Sequence, residues 1–172
     1  MYKLATEKNE MNTERYDLMI RASHTRRFHN GTTIKEQTVG QHTMNMLIIA
    51  DTLYDGNPPA PLIRSIIYHD MHEAITGDIP WPMKRINLNV EREIRLVEKD
   101  INTNHQWDVP DHPMLGPIDM LEFFSFICRE RALGNKNNTD EYLTALNILR
   151  ENAYKIDQPM RSKFIELIIH MS

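Results

Sequence analysis

A single cysteine, Cys128, leaves this chain without an internal disulfide, so its stability has to come from a packed core. That cysteine sits in the apolar run FFSFICRE and reads as a core residue, not a nucleophile. No apolar stretch is long enough to cross a bilayer. The start, MYKLATEKNEMNTER, lacks the apolar middle of a signal peptide, so a cytoplasmic location is expected. There is no excess of positive charge: Lys and Arg number 20, Asp and Glu 24, for a net charge of -4. That balance argues against a nucleic-acid polymer as partner. Alternating strand patterns, repeats and low-complexity tracts are missing too.

What is present is helical. Hydrophobic residues make up 41% and charged residues 26% of 172 positions, the profile of a globular chain of single-domain length, 1–172. Thr13 is placed to cap a first helix that runs into the basic cluster RASHTRRFH and stops near Asn30-Gly31. That cluster, without an acid, suggests a local anion site. Thr38 caps a second helix with Val39, His42, Met46, Ile49 and Leu53 on one stripe. After the turn DGNPPAP, a third helix spans about Leu62 to Glu73, and TGDIPWP follows as a stiffened loop. A fourth begins near Asn87 or Asn89, carries Val90, Ile94, Val97 and Ile101, and has the polarity of a surface helix or partner contact. Further helices are expected over Leu115–Leu133, to about Ala153 with Thr139 or Asp140 as its cap, and over Pro159–His170. The fold class is all-α, one globular helical bundle.

The chemistry concentrates in YHDMHEAITGDIPWPMK, Tyr68 to Lys84. His69 and Asp70 follow an apolar helical run, where burying them without partners is costly. A divalent metal is the commonest partner that makes an adjacent His and Asp favourable inside a protein. His42 and Asp119 fall on two other apolar faces, giving the order H…HD…D.

This order, with Arg27-Phe28, TVGQHTMNM and HDMHEAITGDIPWPMK, resembles the HD-domain metal-dependent phosphohydrolases over about residues 20–122. Within them it is similar to the small 5'-deoxynucleotidases and to the bacteriophage dATP triphosphohydrolases. Phe28 stands where those relatives usually have Trp, and Gln41 where many have Glu before the first ligand. The resemblance implies that His42, His69, Asp70 and Asp119 bind one divalent ion, Zn, Co or Mn, with Mg as an additional ion. Glu73 then orients or deprotonates water, on the expectation that it lies one helical turn past His69. Asp78 assists the water or protonates the leaving oxygen, unless it merely forms the TGD turn. Arg27 and Lys84 neutralise phosphate, Phe28 stacks on the nucleoside, and Trp81 lines the pocket. His24, His29, His72 and His105 read as surface or supporting residues, with His72 the one that an extra metal could recruit.

Three functions compete. The leading expectation is release of triphosphate from dATP, favoured by the compact length and by the cations Arg26, Arg27, Lys84 and Arg85. The alternative is a 5'-deoxynucleotidase releasing orthophosphate from deoxynucleoside monophosphates. A nucleotide-binding module without catalysis is the third. The resemblance also implies a small-molecule deoxynucleotide as substrate, a homo-oligomer (dimer or hexamer), and the host cytoplasm if the chain is phage-encoded.

Overall fold

The computed structural model describes residues 13–29, 31–84, 87–107 and 109–172, with Trp81 and Pro82 described in backbone only. Its elements are α1 (Thr13–Ser23), β1 (Arg26–Arg27), β2 (Gln37–Thr38), α2 (Val39–Leu53), α3 (Ala60–Tyr68), α4 (Glu73–Thr76), α5 (Trp81–Lys84), α6 (Leu88–Asn104), α7 (Leu115–Ala132), α8 (Thr139–Lys155) and α9 (Met160–Met171). The all-α expectation holds, with a two-stranded antiparallel ribbon added.

α7 is the central helix and packs against α2, α3, α8 and α9. Its Ile118, Leu121 and Phe124 meet Met46, Ile49 and Leu53 of α2, Leu62 and Ile66 of α3, Leu149 of α8 and Phe164 of α9 in one buried cluster. Burying side chains of this size is worth about 1.5–3 kcal/mol each, which is what holds the helices together. A smaller cluster of Ala22, Met71, Ala74 and Trp107 ties α1 to the chain around α4. α6, by contrast, buries none of its residues, as a surface helix should. No described helix is long and apolar enough to cross a membrane.

Two boundaries differ from expectation, and both shape the site. α1 stops at Ser23, well before the Asn30-Gly31 expected of it. The Ser23 hydroxyl and His24 Nδ1 reach the Ile20 carbonyl at 2.7 and 2.8 Å, offering that carbonyl side-chain partners. The chain beyond then pairs Arg26 with Thr38 and Arg27 with Gln37. Gly40 lets this happen: a Cβ there would lie 2.9 Å from the Ser23 carbonyl oxygen. Thr38 caps α2 as expected, its hydroxyl accepting from the Gln41 amide while Gln41 Oε1 accepts from the Thr38 amide.

The third helix likewise ends early, at Tyr68. Residues 69–72 form turns, with Met71 and Glu73 amides donating to the Tyr68 and Asp70 carbonyls, and Glu73 starts a separate short helix. The segment expected as a loop after TGD contains another short helix, α5.

A buried carboxylate secures the loop between the strands. Glu130 of α7 accepts from the Ile34 and Lys35 amides at 2.6 and 2.8 Å and from Asn135 Nδ2 at 2.9 Å. Although burial opposes the charge, these donors hold the carboxyl below its usual range. A folded-state pKa below the unfolded value stabilises above the unfolded pKa, near 4.3, and that contribution is lost as pH falls through the folded value. Glu130→Gln should therefore cost about 2 kcal/mol at pH 7. Urea denaturation should show the gap to wild type closing below about pH 4; equal stability at pH 7 would remove Glu130 from this role.

Candidate metal centre and substrate cavity

The three elements bearing the expected ligands converge at the N-terminal half of α2. His42 is fully buried on that helix. Its Nε2 lies 3.3 Å from His69 Nε2, just past the end of α3, and 3.2 Å from Asp119 Oδ1 of α7. Asp70 Oδ2 lies 3.2 Å from His69 Nε2 and 3.7 Å from His42 Nε2. One donor atom each from His42, His69 and Asp119 falls within 4.8 Å of the others.

The hydrogen-bond partners decide what such a set can hold. His42 Nδ1 donates to Glu122 Oε2 at 2.7 Å, and His69 Nδ1 donates to the Ile66 carbonyl at 2.8 Å. With Nδ1 carrying the hydrogen, each neutral ring presents an Nε2 lone pair to the centre. Two lone pairs and two carboxylates facing one another repel unless a cation sits among them. Ligands about 2.1 Å from a tetrahedral ion stand roughly 3.4 Å apart, close to the spacing here. Burial alone would disfavour protonated rings, yet the facing carboxylates push both imidazoles above their ordinary value, which reports the same demand for positive charge. The residues fit a divalent metal.

Support for the set comes from a residue that spacing alone did not single out. Glu122, fully buried one turn past Asp119, accepts from His42, from Gln37 Nε2 at 2.7 Å and from Asn45 Nδ2 at 2.8 Å, with Arg129 at 3.4 Å. Burial opposes its charge, but His42 and Asn45 hold the carboxyl below its usual range. Gln41, by contrast, is spent on capping α2 and leaves this support to Glu122. The sequence signal was Asp119 and Glu122 three apart on an apolar helix; knowing their partners required the fold.

Beside the donor set opens a cavity of about 280 Å³, lined among others by Arg27, Phe28, Asp70, Glu73, Asp78, Lys84 and Asp119. Arg27 Nη1 pairs with Asp70 Oδ2 at 3.1 Å, both half-buried. Burial works against ionising Asp70, but His69 and Arg27 hold its carboxyl well below the usual range. Glu73 is buried, and its Oε2 has no partner. Burial, reinforced by the charges of Asp70 and Asp78, pushes its pKa up to about 9, so it holds a proton at neutral pH until a nearby cation lowers it. It reaches the cavity from α4, not from one continuous helix with His69, so the expected one-turn relation between them fails where the chain turns.

Asp78 accepts the Phe28 amide at 3.1 Å and lies 3.8 Å from His29 Nδ1. This bond steadies Phe28 at φ 56°, a value that costs energy in a residue with a side chain. The Phe28 ring stacks on Phe126, with centroids 4.7 Å apart, and leans on Phe123. Lys84 lines the cavity while bonding Glu98 of α6 at 2.9 Å, and the buried His72 lies 3.3 Å from the same carboxylate. Arg26 points to solvent and pairs with Glu36, so it does not join the cations expected here. The Trp81 side chain and Arg85 lie outside the described residues.

Outer-shell partners of a ligating histidine typically contribute 10–100-fold to metal affinity. Glu122→Gln should thus bind Co or Mn about 10–100-fold more weakly than wild type in calorimetry of the chelator-treated protein. Asp119→Ala should abolish stoichiometric binding while its circular dichroism stays helical; unchanged affinity in that variant would take Asp119 out of the donor set.

The family model described as 5'-deoxynucleotidase YfbR-like matches residues 13–113, a span that holds every residue named above from Arg27 to Glu98. A 5'-deoxynucleotidase of Photorhabdus temperata is 32% identical over 74 residues, 38% of this chain and 38% of that protein. One from Escherichia coli O127:H6 is 30% identical over 74 residues, 38% and 37% of the two chains. The matched region thus spans about two fifths of the length of these curated relatives. With a model match over more than half its length, the chain belongs to the YfbR-like 5'-deoxynucleotidase family of HD-domain phosphohydrolases.

Proposed function

We propose that this protein is a metal-dependent 5'-deoxynucleotidase that releases orthophosphate from deoxynucleoside monophosphates. The observation that carries the reading is a convergent set of His42, His69, Asp70 and Asp119 at the edge of a cavity that Phe28, Phe123 and Phe126 also line. The donor set suits a phosphate and the aromatic rings suit a nucleoside.

A divalent ion in the donor set would polarise the phosphoryl group and lower the pKa of water. The His/His/Asp/Asp donors suit Zn, Co or Mn. Arg27, held against Asp70, offers its remaining N–H groups to phosphoryl oxygens and offsets the charge that builds up in transfer. Glu73 is the proton-carrying group: its buried carboxyl can orient water when ionised and return the proton to the leaving 5' oxygen. Asp78 contributes by keeping Phe28 and its loop in place. Lys84 adds a second positive charge at the cavity wall.

Charge supports the monophosphate over dATP, the leading expectation from the sequence. Of the cations expected to favour a longer phosphate chain, only Arg27 and Lys84 line the cavity among the described residues, and each already faces a carboxylate. A triphosphate brings about two more negative charges than a monophosphate and would need partners for them. The names of the curated relatives point the same way.

The test is an endpoint assay of purified protein with dAMP and dATP separately, in Co, Mn and Zn, identifying every phosphate product. Orthophosphate from dAMP with dATP left intact is expected. Triphosphate plus deoxyadenosine from dATP would overturn the monophosphate reading in favour of the triphosphohydrolase. Nucleotide binding without turnover in any metal would leave a binding module instead.

A further inference from the structure

The loop between α7 and α8 contributes Asn135, Asn137 and Asn138 to the lining of the cavity. We propose that Asn138 is the residue that recognises the nucleobase, through its side-chain amide. Asn138 occupies the N-cap of α8, where an asparagine normally satisfies a helix amide, yet its side chain makes no capping bond. Both Oδ1 and Nδ2 are buried without a partner, and the residue is 7% exposed. A buried amide with neither bond made is costly, so a partner is wanted. Asn138 lines the same cavity as Phe28 and Asp119, so a turn of its amide toward that cavity gives it access to a partner there.

The loop is braced as a recognition element needs to be. Gly134 turns the chain at φ +100°. Asn135 Nδ2 donates to the Thr32 carbonyl at 2.7 Å and to Glu130 at 2.9 Å, while its Oδ1 accepts the Asn137 amide at 3.0 Å. These bonds fix the backbone on the N-terminal side of Asn138 and leave its amide the part that can turn, about a torsion that is broad and roughly two-fold in asparagine. An amide presents an adjacent donor and acceptor, matching the adjacent acceptor and donor on a base edge. Phe28, Phe123 and Phe126 supply flat apolar wall beside it, so base faces and base edge both find a complement in one cavity.

This inference rests on the deoxynucleotidase reading, and its test separates the two. Full-length wild type, Asn138→Ala and Asn138→Asp, each loaded with Co, would be assayed for orthophosphate release from dAMP, dGMP, dCMP, TMP and from 2-deoxyribose 5-phosphate, which has no base. Asn138→Ala should lose roughly tenfold in kcat/KM on the best wild-type nucleotide, mainly through KM, so that the four nucleotides converge. The loss on 2-deoxyribose 5-phosphate should be several-fold smaller. Asn138→Asp, which keeps the acceptor and removes the donor, should reorder the four nucleotides. Equal losses on nucleotides and on the base-free sugar phosphate, or no loss at all, would overturn the role of Asn138 while leaving the deoxynucleotidase reading intact. A wild type inactive on all five substrates would overturn both.

Discussion

The contact between His42 Nδ1 and Glu122 Oε2, 2.7 Å long and fully buried, is the one on which the rest of the site depends. It joins α2 to α7, the two helices that carry the first and last expected ligands. It also fixes which nitrogen of His42 carries the hydrogen, and so which one presents a lone pair. Gln37 and Asn45 occupy the other Glu122 oxygen, so the strand, the second helix and the central helix meet at one carboxylate. A carboxylate buried with this many donors is tolerated because its lone pairs are used; without them its desolvation would be prohibitive.

A second consequence is how the fold separates charge from apolar packing. The large cluster around Phe124, Leu121 and Leu149 lies to one side of α7, and the donor set lies at that helix's N-terminal end. Glu130 plays at the other end the part that Glu122 plays near the metal site. It collects loop amides and Asn135 and thereby ties the loop before β2 to the loop before α8. The two carboxylates, eight residues apart on one helix, place the two ends of the cavity relative to each other. α6 reaches the site through Glu98, which meets both Lys84 and His72.

Much of the site was legible because ligand chemistry is conspicuous on an apolar background. His42 interrupts a stripe of Val39, Met46 and Ile49; His69 and Asp70 follow Ile66 and Ile67; Asp119 interrupts the apolar face of α7. Two helix caps were legible for the same reason, since Thr38 and Asn87 are the local chemistry of a helix start, whereas the cap expected at Thr139 or Asp140 falls on Asn138. Long-range partners were not. Nothing in residues 21–29 signals that Arg26 will pair with Thr38, turning Arg26 outward and Arg27 inward. A two-residue ribbon has no periodicity to detect, because period 2 needs several residues to show itself.

Sequence by itself determined the all-α class, the helix count among the described residues to within the two short helices α4 and α5, and the presence of ligand-type side chains on apolar helix faces. These follow from local quantities: the 3.6-residue period, caps, prolines, and polar side chains where burial would otherwise forbid them. Only tertiary structure decided that Glu122 is the outer partner of His42, that Glu73 is buried enough to hold its proton, and that Asn138 is left without a bond. Each of these depends on what distant segments place within 3 Å of a given atom, or fail to place there. Hydrogen bonding and desolvation are that short in range, and sequence spacing does not encode them.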